Sequence, residues 1–215
     1  MESGTATERR FETTAGRTAV ERVQFVPSPI ADPGPLGLAA FALTTFVLSM
    51  FNADLIGKGG EPIVFGLALA YGGLAQVLAG MWEFRTGNTF GAVAFTSYGA
   101  FWLSFWAFLQ FFEKSVPAAD AGHAVGLFLI AWGVFTTYML VASLRTTAAI
   151  ATVFALLAVT FFLLGIGNAG AHPNVIKLGG WVGLATAVAA WYASFAAVTN
   201  STFGRVVMPV RPLSR

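Results

Sequence analysis

The sequence contains no cysteine, which removes disulfides, thiolate metal sites and cysteine nucleophiles together. Charge is scarce as well. Only 10% of the 215 residues are Asp, Glu, Lys or Arg, against about 25% in a soluble domain. Histidine occurs twice, as His123 and His172, and both fall between apolar runs with no carboxylate at ligand spacing. Glu83 is the one acid near the interior of a run, beside Arg85 at its end. A membrane enzyme needs a nucleophile with its base, a metal cluster or paired carboxylates at depth, and none of these can be assembled. A retinal photoreceptor needs a buried lysine and a carboxylate counter-ion; Lys177 stands at the outer end of a run, and no Asp lies mid-run. The expected chain therefore has no cofactor, no metal and no catalytic residue.

What is abundant is apolar. Hydrophobic residues make up 56% of the chain and the mean hydropathy is +0.72, so the bilayer is the expected solvent. The net charge of +2 comes from basic residues scattered singly at run ends. That is topology, not a nucleic-acid patch.

Runs of about 20 apolar residues predict six spans at 36–56, 62–84, 89–112, 124–144, 147–167 and 176–199, an all-α integral membrane bundle with short connections. Pro62 is expected to open the second span, with Pro117 and Pro173 in loops. Six spans put both termini on one side. Nine basic residues fall on that side and three, Lys58, Lys114 and Lys177, on the other, so both termini are expected in the cytoplasm. Residues 1–31 carry Arg9, Arg10, Arg17 and Arg22 among acids and no apolar run before Pro33. They read as a mostly disordered cytoplasmic tail, with a short helix around 18–26 and arginines able to touch anionic lipid, rather than as a signal peptide. The transmembrane domain is then 32–200 and a cytoplasmic C-terminal tail 201–215.

The boundary between tail and membrane is Asp32-Pro33-Gly34-Pro35-Leu36-Gly37-Leu38. Two prolines this close cannot both sit inside a helix, but either can start one. The stretch reads as a rigid lead-in to the first span, capped by Asp32. Gly72, Gln76 and Gly80 in the second span, and Gly179, Gly183 and Ala187 in the sixth, recur at helical spacing and read as helix-packing seams. Trp82 and Trp181 near span ends read as interfacial anchors.

With enzymes excluded, conduction remains. The spans carry uncharged polar groups: Thr44, Thr45, Gln76, Asn88, Thr89, Thr96, Ser97, Tyr98, Thr136, Thr137 and Asn168. Serine and threonine in membrane helices usually bond their own backbone. Gln76 and Asn168 weigh more, because an amide is not expected to satisfy itself that way. Asn88-Thr89 after Gly87 reads as a capped or broken helix start whose exposed amides favour an anion. A channel for small neutral solutes such as urea or ammonia fits these residues too. So does a structural subunit without a pore, for which Phe41→Ala and Tyr98→Ala would change no flux.

The lead-in also resembles the Asn-Pro-Ala-Pro-Leu-Gly-Leu signature of the acetate uptake transporter family (bacterial SatP or YaaH and yeast Ato types). Further stretches match that family in order: Tyr71-Gly72-Gly73-Leu74-Ala75-Gln76, Gly87-Asn88-Thr89-Phe90-Gly91, Ala94-Phe95-Thr96-Ser97-Tyr98-Gly99, Trp132-Gly133-Val134-Phe135-Thr136, Gly165-Ile166-Gly167-Asn168 and Phe203-Gly204-Arg205. Asp32 stands where the family usually has Asn, and Gly34 where it has Ala. The resemblance implies a six-helix protomer that assembles into homo-oligomeric rings, commonly hexamers. Each protomer would carry acetate, and sometimes succinate, through its own pore; beside the resemblance, the expected location is the plasma membrane, and proton linkage is expected because the pool of neutral acid rises as pH falls. The resemblance also implies a hydrophobic constriction at Phe41, Tyr98 and Leu157. An uncharged path suits such a cargo. A bare carboxylate moved into a medium of dielectric about 4 costs on the order of 20 kcal/mol. Acetic acid titrates about like a Glu side chain, near 4.3, so about one molecule in 500 is neutral at pH 7.

Overall fold

The computed structural model describes residues 30–213, and the tail reading of the first residues, with its helix around 18–26, lies outside them. Among the described residues there is no strand, and six helical segments are long and apolar enough to cross a membrane. The first is α1 (Gly34–Asn52). The second joins α2 (Ile63–Leu69) through a π-helical turn at Ala70–Ala75 to α3 (Gln76–Thr86). The third is α4 (Thr89–Ala107), which ends in a second π turn at Phe108–Phe112. The last three are α5 (Ala118–Ser143), α6 (Ala148–Ala169) and α7 (Pro173–Phe203).

Span ends follow local chemistry more than hydropathy. Helix α1 stops at Asn52, short of the expected 56, because Asp54 takes a left-handed φ of 61° that breaks the hydrogen-bond ladder. Pro173 does not sit in a loop: it is the first residue of α7, where its missing N–H costs nothing. Gly87 closes α3 at φ 79° and Gly204 closes α7 at φ 60°, conformations glycine reaches without a Cβ penalty.

Helix α1 packs on α7, α7 on α6, α6 on α5, and α3 on α4. Lipid supplies no hydrophobic drive between helices, so close backbone approach does the work. Gly72 faces Thr44, Gly80 faces Thr96, Gly179 faces Leu164 and Gly183 faces Ser49, as the small-residue spacing implies. The two glycines of the second span thus meet different helices, Gly72 meeting α1 and Gly80 meeting α4. Trp82 and Trp181 are half exposed on the outer surface.

Residues after Gly204 fold back across the end of the bundle where α1 begins. Ala148 N–H donates to Arg211 O at 2.8 Å and Leu213 N–H to Thr146 O at 2.9 Å, while Tyr192 Oη donates to Pro209 O at 2.6 Å. Asn200 holds the turn. Its Oδ1 accepts from Val207 and Met208 N–H, and its Nδ2 donates to Met208 O.

Candidate functional site

The site is a stripe before it is a cavity. On α1, Leu38, Phe41, Thr45, Ser49 and Asn52 follow one another at three- and four-residue steps, the spacing of one helix face. On α6 the same holds for Phe154, Leu157, Phe161, Leu164 and Asn168. On α4 it holds for Gly91, Ala94, Tyr98 and Trp102, with Phe95 next to Ala94, and α3 adds Gln76 and Glu83, two turns apart. These faces enclose three cavities in series.

The first, of about 220 Å³, is lined at its mouth by Asn52, Lys58, Glu61 and Asn168 and deeper in by Thr45, Phe41 and Leu157. The second is a void of only about 20 Å³ between Phe41, Gln76, Tyr98 and Leu157. Phe41 and Leu157 border both. The third, of about 350 Å³, opens at the other end among Asp32, Gly34, Pro35, Glu83, Asn88 and Asn200. It shares Leu38, Ala94, Phe95 and Phe154 with the small void.

Aromatic packing sets the width of the middle. The Tyr98 ring lies 6.0 Å from Phe41, 5.4 Å from Phe135 edge-on and 6.0 Å from Phe154, within the range of attractive ring pairs. Its hydroxyl is 2.9 Å from Thr136 Oγ1. Thr136 Oγ1 gives its own hydrogen to Trp132 O at 2.7 Å, so Tyr98 is the donor.

The candidate residues therefore separate. Asp32, Gly34, Pro35, Leu38, Phe41, Thr45, Gln76, Asn88, Tyr98, Leu157 and Asn168 each line at least one of the three cavities. Pro33, Leu36, Gly37, Thr44, Thr89, Thr96 and Ser97 do not. Pro33 carries the turn, accepting Gly37 N–H at 3.2 Å, and Leu36 points outward. Gly37 lies flat on the Phe95 ring, with no room for a Cβ. Thr44 donates to Ala40 O and packs on Gly72; Thr96 packs on Gly80. Ser97 is half buried and Thr89 exposed.

Three expectations need correcting. Asn168 does satisfy itself within its helix, its Nδ2 donating to Leu164 O at 2.7 Å. The start of α4 is not open to a foreign anion. Asn88 Oδ1 accepts Gly91 N–H at 3.1 Å, and the Glu83 carboxyl group lies against Gly91, so the protein's own acid occupies the helix N-terminus. Asp32 does accept the Gly34 N–H, at 2.9 Å, but the residue that caps the helix is Pro33, and the Asp32 bond is a local turn.

Sequence reasoning set Glu83 aside, yet it is 2% exposed and walls the third cavity. Asn88 and Thr86 hydrogen bond its carboxyl group. A Cβ on Gly34 would sit 3.3 Å from Glu83 Oε1 and 3.0 Å from Asp32 Oδ1, so the glycine in the lead-in makes room for two carboxyl groups. The available signal was spacing: Glu83 lies two turns from Gln76 on a helix whose one other charge, Arg85, stands at its end. Ser49 and Asn52 carried the same signal on α1. Asn200 carried none, because its role depends on the returning chain.

That returning chain yields a prediction. Val210 borders the third cavity beside Asn200, so the fold-back is part of its wall. Asn200→Ala removes three hydrogen bonds, each worth about 0.5–1.5 kcal/mol. Tryptic cleavage after Arg205 is expected to speed up at least about tenfold, as the local opening becomes easier. An unchanged cleavage rate would mean that Asn200 does not hold the segment.

The comparisons with known proteins agree with this geometry. Residues 15–215 match the GPR1/FUN34/yaaH family. Acetate permease A of Emericella nidulans is 46% identical over 195 residues, covering 84% of this chain and 65% of the relative, so the chain spans about two thirds of that fungal protein's length. The succinate-acetate/proton symporter SatP of Escherichia coli is 39% identical over 181 residues, covering 84% of this chain and 95% of the relative. The structure of the bacterial acetate channel SatP superposes with a TM-score of 0.79 at 39% identity, covering 84% of this chain and 99% of that one. A multi-pass membrane protein by its six apolar helices, this chain belongs to the GPR1/FUN34/yaaH family.

Proposed function

We propose that the protein carries acetate and related small carboxylates, succinate among them, across the plasma membrane, through one passage per protomer narrowed at Phe41, Tyr98 and Leu157. The observation that carries this reading is the series of three cavities, two wide and polar at their outer ends and one narrow and apolar between them. A dry apolar neck between wet vestibules is a physical means of passing small solutes one at a time while blocking bulk water. The names borne by its relatives supply the cargo. Transport is linked to protons, since the pool of neutral acid rises as pH falls. The protein is a transporter, not an enzyme.

In this reading residues 1–31 form a cytoplasmic tail, 32–200 the transport domain and 201–215 a second cytoplasmic segment, with both termini inside by the excess of basic residues there. Protomers form a homo-oligomeric ring, a hexamer. The test is reconstitution. Proteoliposomes are expected to equilibrate labelled acetate far faster than empty vesicles, with propionate competing and urea not. Equal rates with and without protein would end the proposal. Competition by urea in place of propionate would favour a neutral-solute channel.

A further inference from the structure

We infer that Gln76 recognises the cargo at the neck and that it takes the undissociated acid, not the anion; the inference rests on reading the path as a carboxylate route. Around the small void, Leu38, Phe41, Phe95, Phe154 and Leu157 offer no hydrogen bond. Tyr98 has no hydrogen to give: its hydroxyl hydrogen goes to Thr136, which has given its own to Trp132, and its oxygen can only accept. Gln76 differs from all of them. It is 1% exposed, its Oε1 has no hydrogen-bond partner, and no described residue takes its N–H groups. Burying an amide without partners is unfavourable, and a leucine of similar size would avoid the penalty. The π turn at Ala70–Ala75 ends at this residue. Such turns are rare and concentrate at functional positions, and this one shifts the helical phase between Gly72, which meets Thr44 of α1, and Gly80, which meets Thr96 of α4, while Gln76 lines the void between them.

A primary amide presents an acceptor beside a donor. An undissociated carboxylic acid presents an O–H beside a C=O at matching spacing, so the two close a pair of hydrogen bonds. The acid O–H donates to Oε1 and the Nε2–H donates to the acid carbonyl. An anion has no hydrogen for Oε1 and leaves it unpaired. The charges along the path point the same way. No lysine or arginine lines the small void or the third cavity, and the third cavity holds the Asp32 and Glu83 carboxyl groups. At the opposite mouth Lys58 lies 3.8 Å from Glu61. Nothing at the neck compensates a negative charge taken out of water.

Two measurements on the full chain in proteoliposomes test this. On the unaltered protein, acetamide carries a donor beside an acceptor and no charge, whereas methanesulfonate is close in size and stays ionised. Acetamide is expected to compete with labelled acetate and methanesulfonate not to. The reverse order overturns the inference. Gln76→Leu is expected to lower acetate flux about tenfold, the value of one hydrogen bond made at the neck, while thermal stability stays equal or rises because an unpaired polar group has left the interior. Unchanged flux, or stability that falls in step with flux, overturns the assignment. Unaltered protein that moves acetate separates these failures from failure of the transport reading itself, which would take Gln76 with it.

Discussion

Leu157→Ala and Phe41→Ala are each expected to admit acids longer than acetate, with butyrate flux rising at least about tenfold, because one methylene of fit in an apolar pocket is worth about ten- to 200-fold in discrimination. The neck has little slack to begin with, a void of about 20 Å³. Either change removes more carbons than butyrate adds to acetate. Both side chains border the neck and the 220 Å³ cavity, so shortening either joins the two spaces instead of sealing off an internal hole. For that reason the stability cost should fall near or below the low end of the buried Leu→Ala range, about 2 kcal/mol. Val159→Ala serves as the control. It is two residues from Leu157 on α6 but 48% exposed on the outer surface, and it should leave size selection unchanged. The checking measurement is the ratio of butyrate to acetate uptake in proteoliposomes, corrected for the amount of assembled protein. If neither substitution at the neck shifts that ratio, Phe41 and Leu157 do not border the route.

How much of this was legible in the chain depends on the range of the interaction. The six spans were, because bilayer thickness imposes a length that apolar runs display directly. Their ends were less so. Asp54 ends α1 by a backbone conformation, and the π turns before Gln76 and after Ala107 are invisible to hydropathy. The neck residues Phe41, Tyr98 and Leu157 came from resemblance. Residue chemistry alone does not distinguish a pore-lining phenylalanine from a packed one, since both lie on apolar faces of apolar helices. Polar residues separated only once partners were known. Thr44 and Thr96 turned out to sit at helix seams against Gly72 and Gly80, whereas Thr45, one residue from Thr44, faces the first cavity. Glu83 was visible but set aside: it stood at the end of its span beside Arg85, and only the approach of Gly34 and Gly91 shows the carboxyl group enclosed.

Gly180→Ala is expected to be the most damaging single-methyl change in the helix packing, costing about 3 kcal/mol or more and preventing stable assembly in many preparations. A Cβ at Gly180 would meet backbone: the amide nitrogen of Ala53, the carbonyl carbon of Asn52 at 2.5 Å and Ala53 Cα at 2.7 Å. A side chain in that place could rotate away, but the end of α1 cannot. Ala53 N–H is bonded to Ser49 O at 2.8 Å and Leu55 N–H to Met50 O at 3.0 Å, and Ala53 is fully buried. Relief requires α7 to part from α1, and with it the wall carrying Ser49, which meets Gly183 one turn further along. Overpacking in a close-packed interior typically costs about 1–3 kcal/mol and occasionally more, and a rigid obstacle places this case at the upper end. The intrinsic helix preference of alanine over glycine, about 1 kcal/mol, offsets only part of it. Two companions bracket the result. Gly66→Ala, also within a helix but with no atom near the added methyl, should be neutral or stabilising by up to about 1 kcal/mol. Lys177→Ala, which breaks the 3.4 Å pair with Asp54 near the same junction, should cost no more than about 1 kcal/mol because both partners are in water. Thermal unfolding of the purified protein, read beside its assembly state, checks all three. If Gly180→Ala melts within a degree or two of the parent, the α1–α7 contact is looser than this geometry requires, and the cavity wall built on it would have to be redrawn.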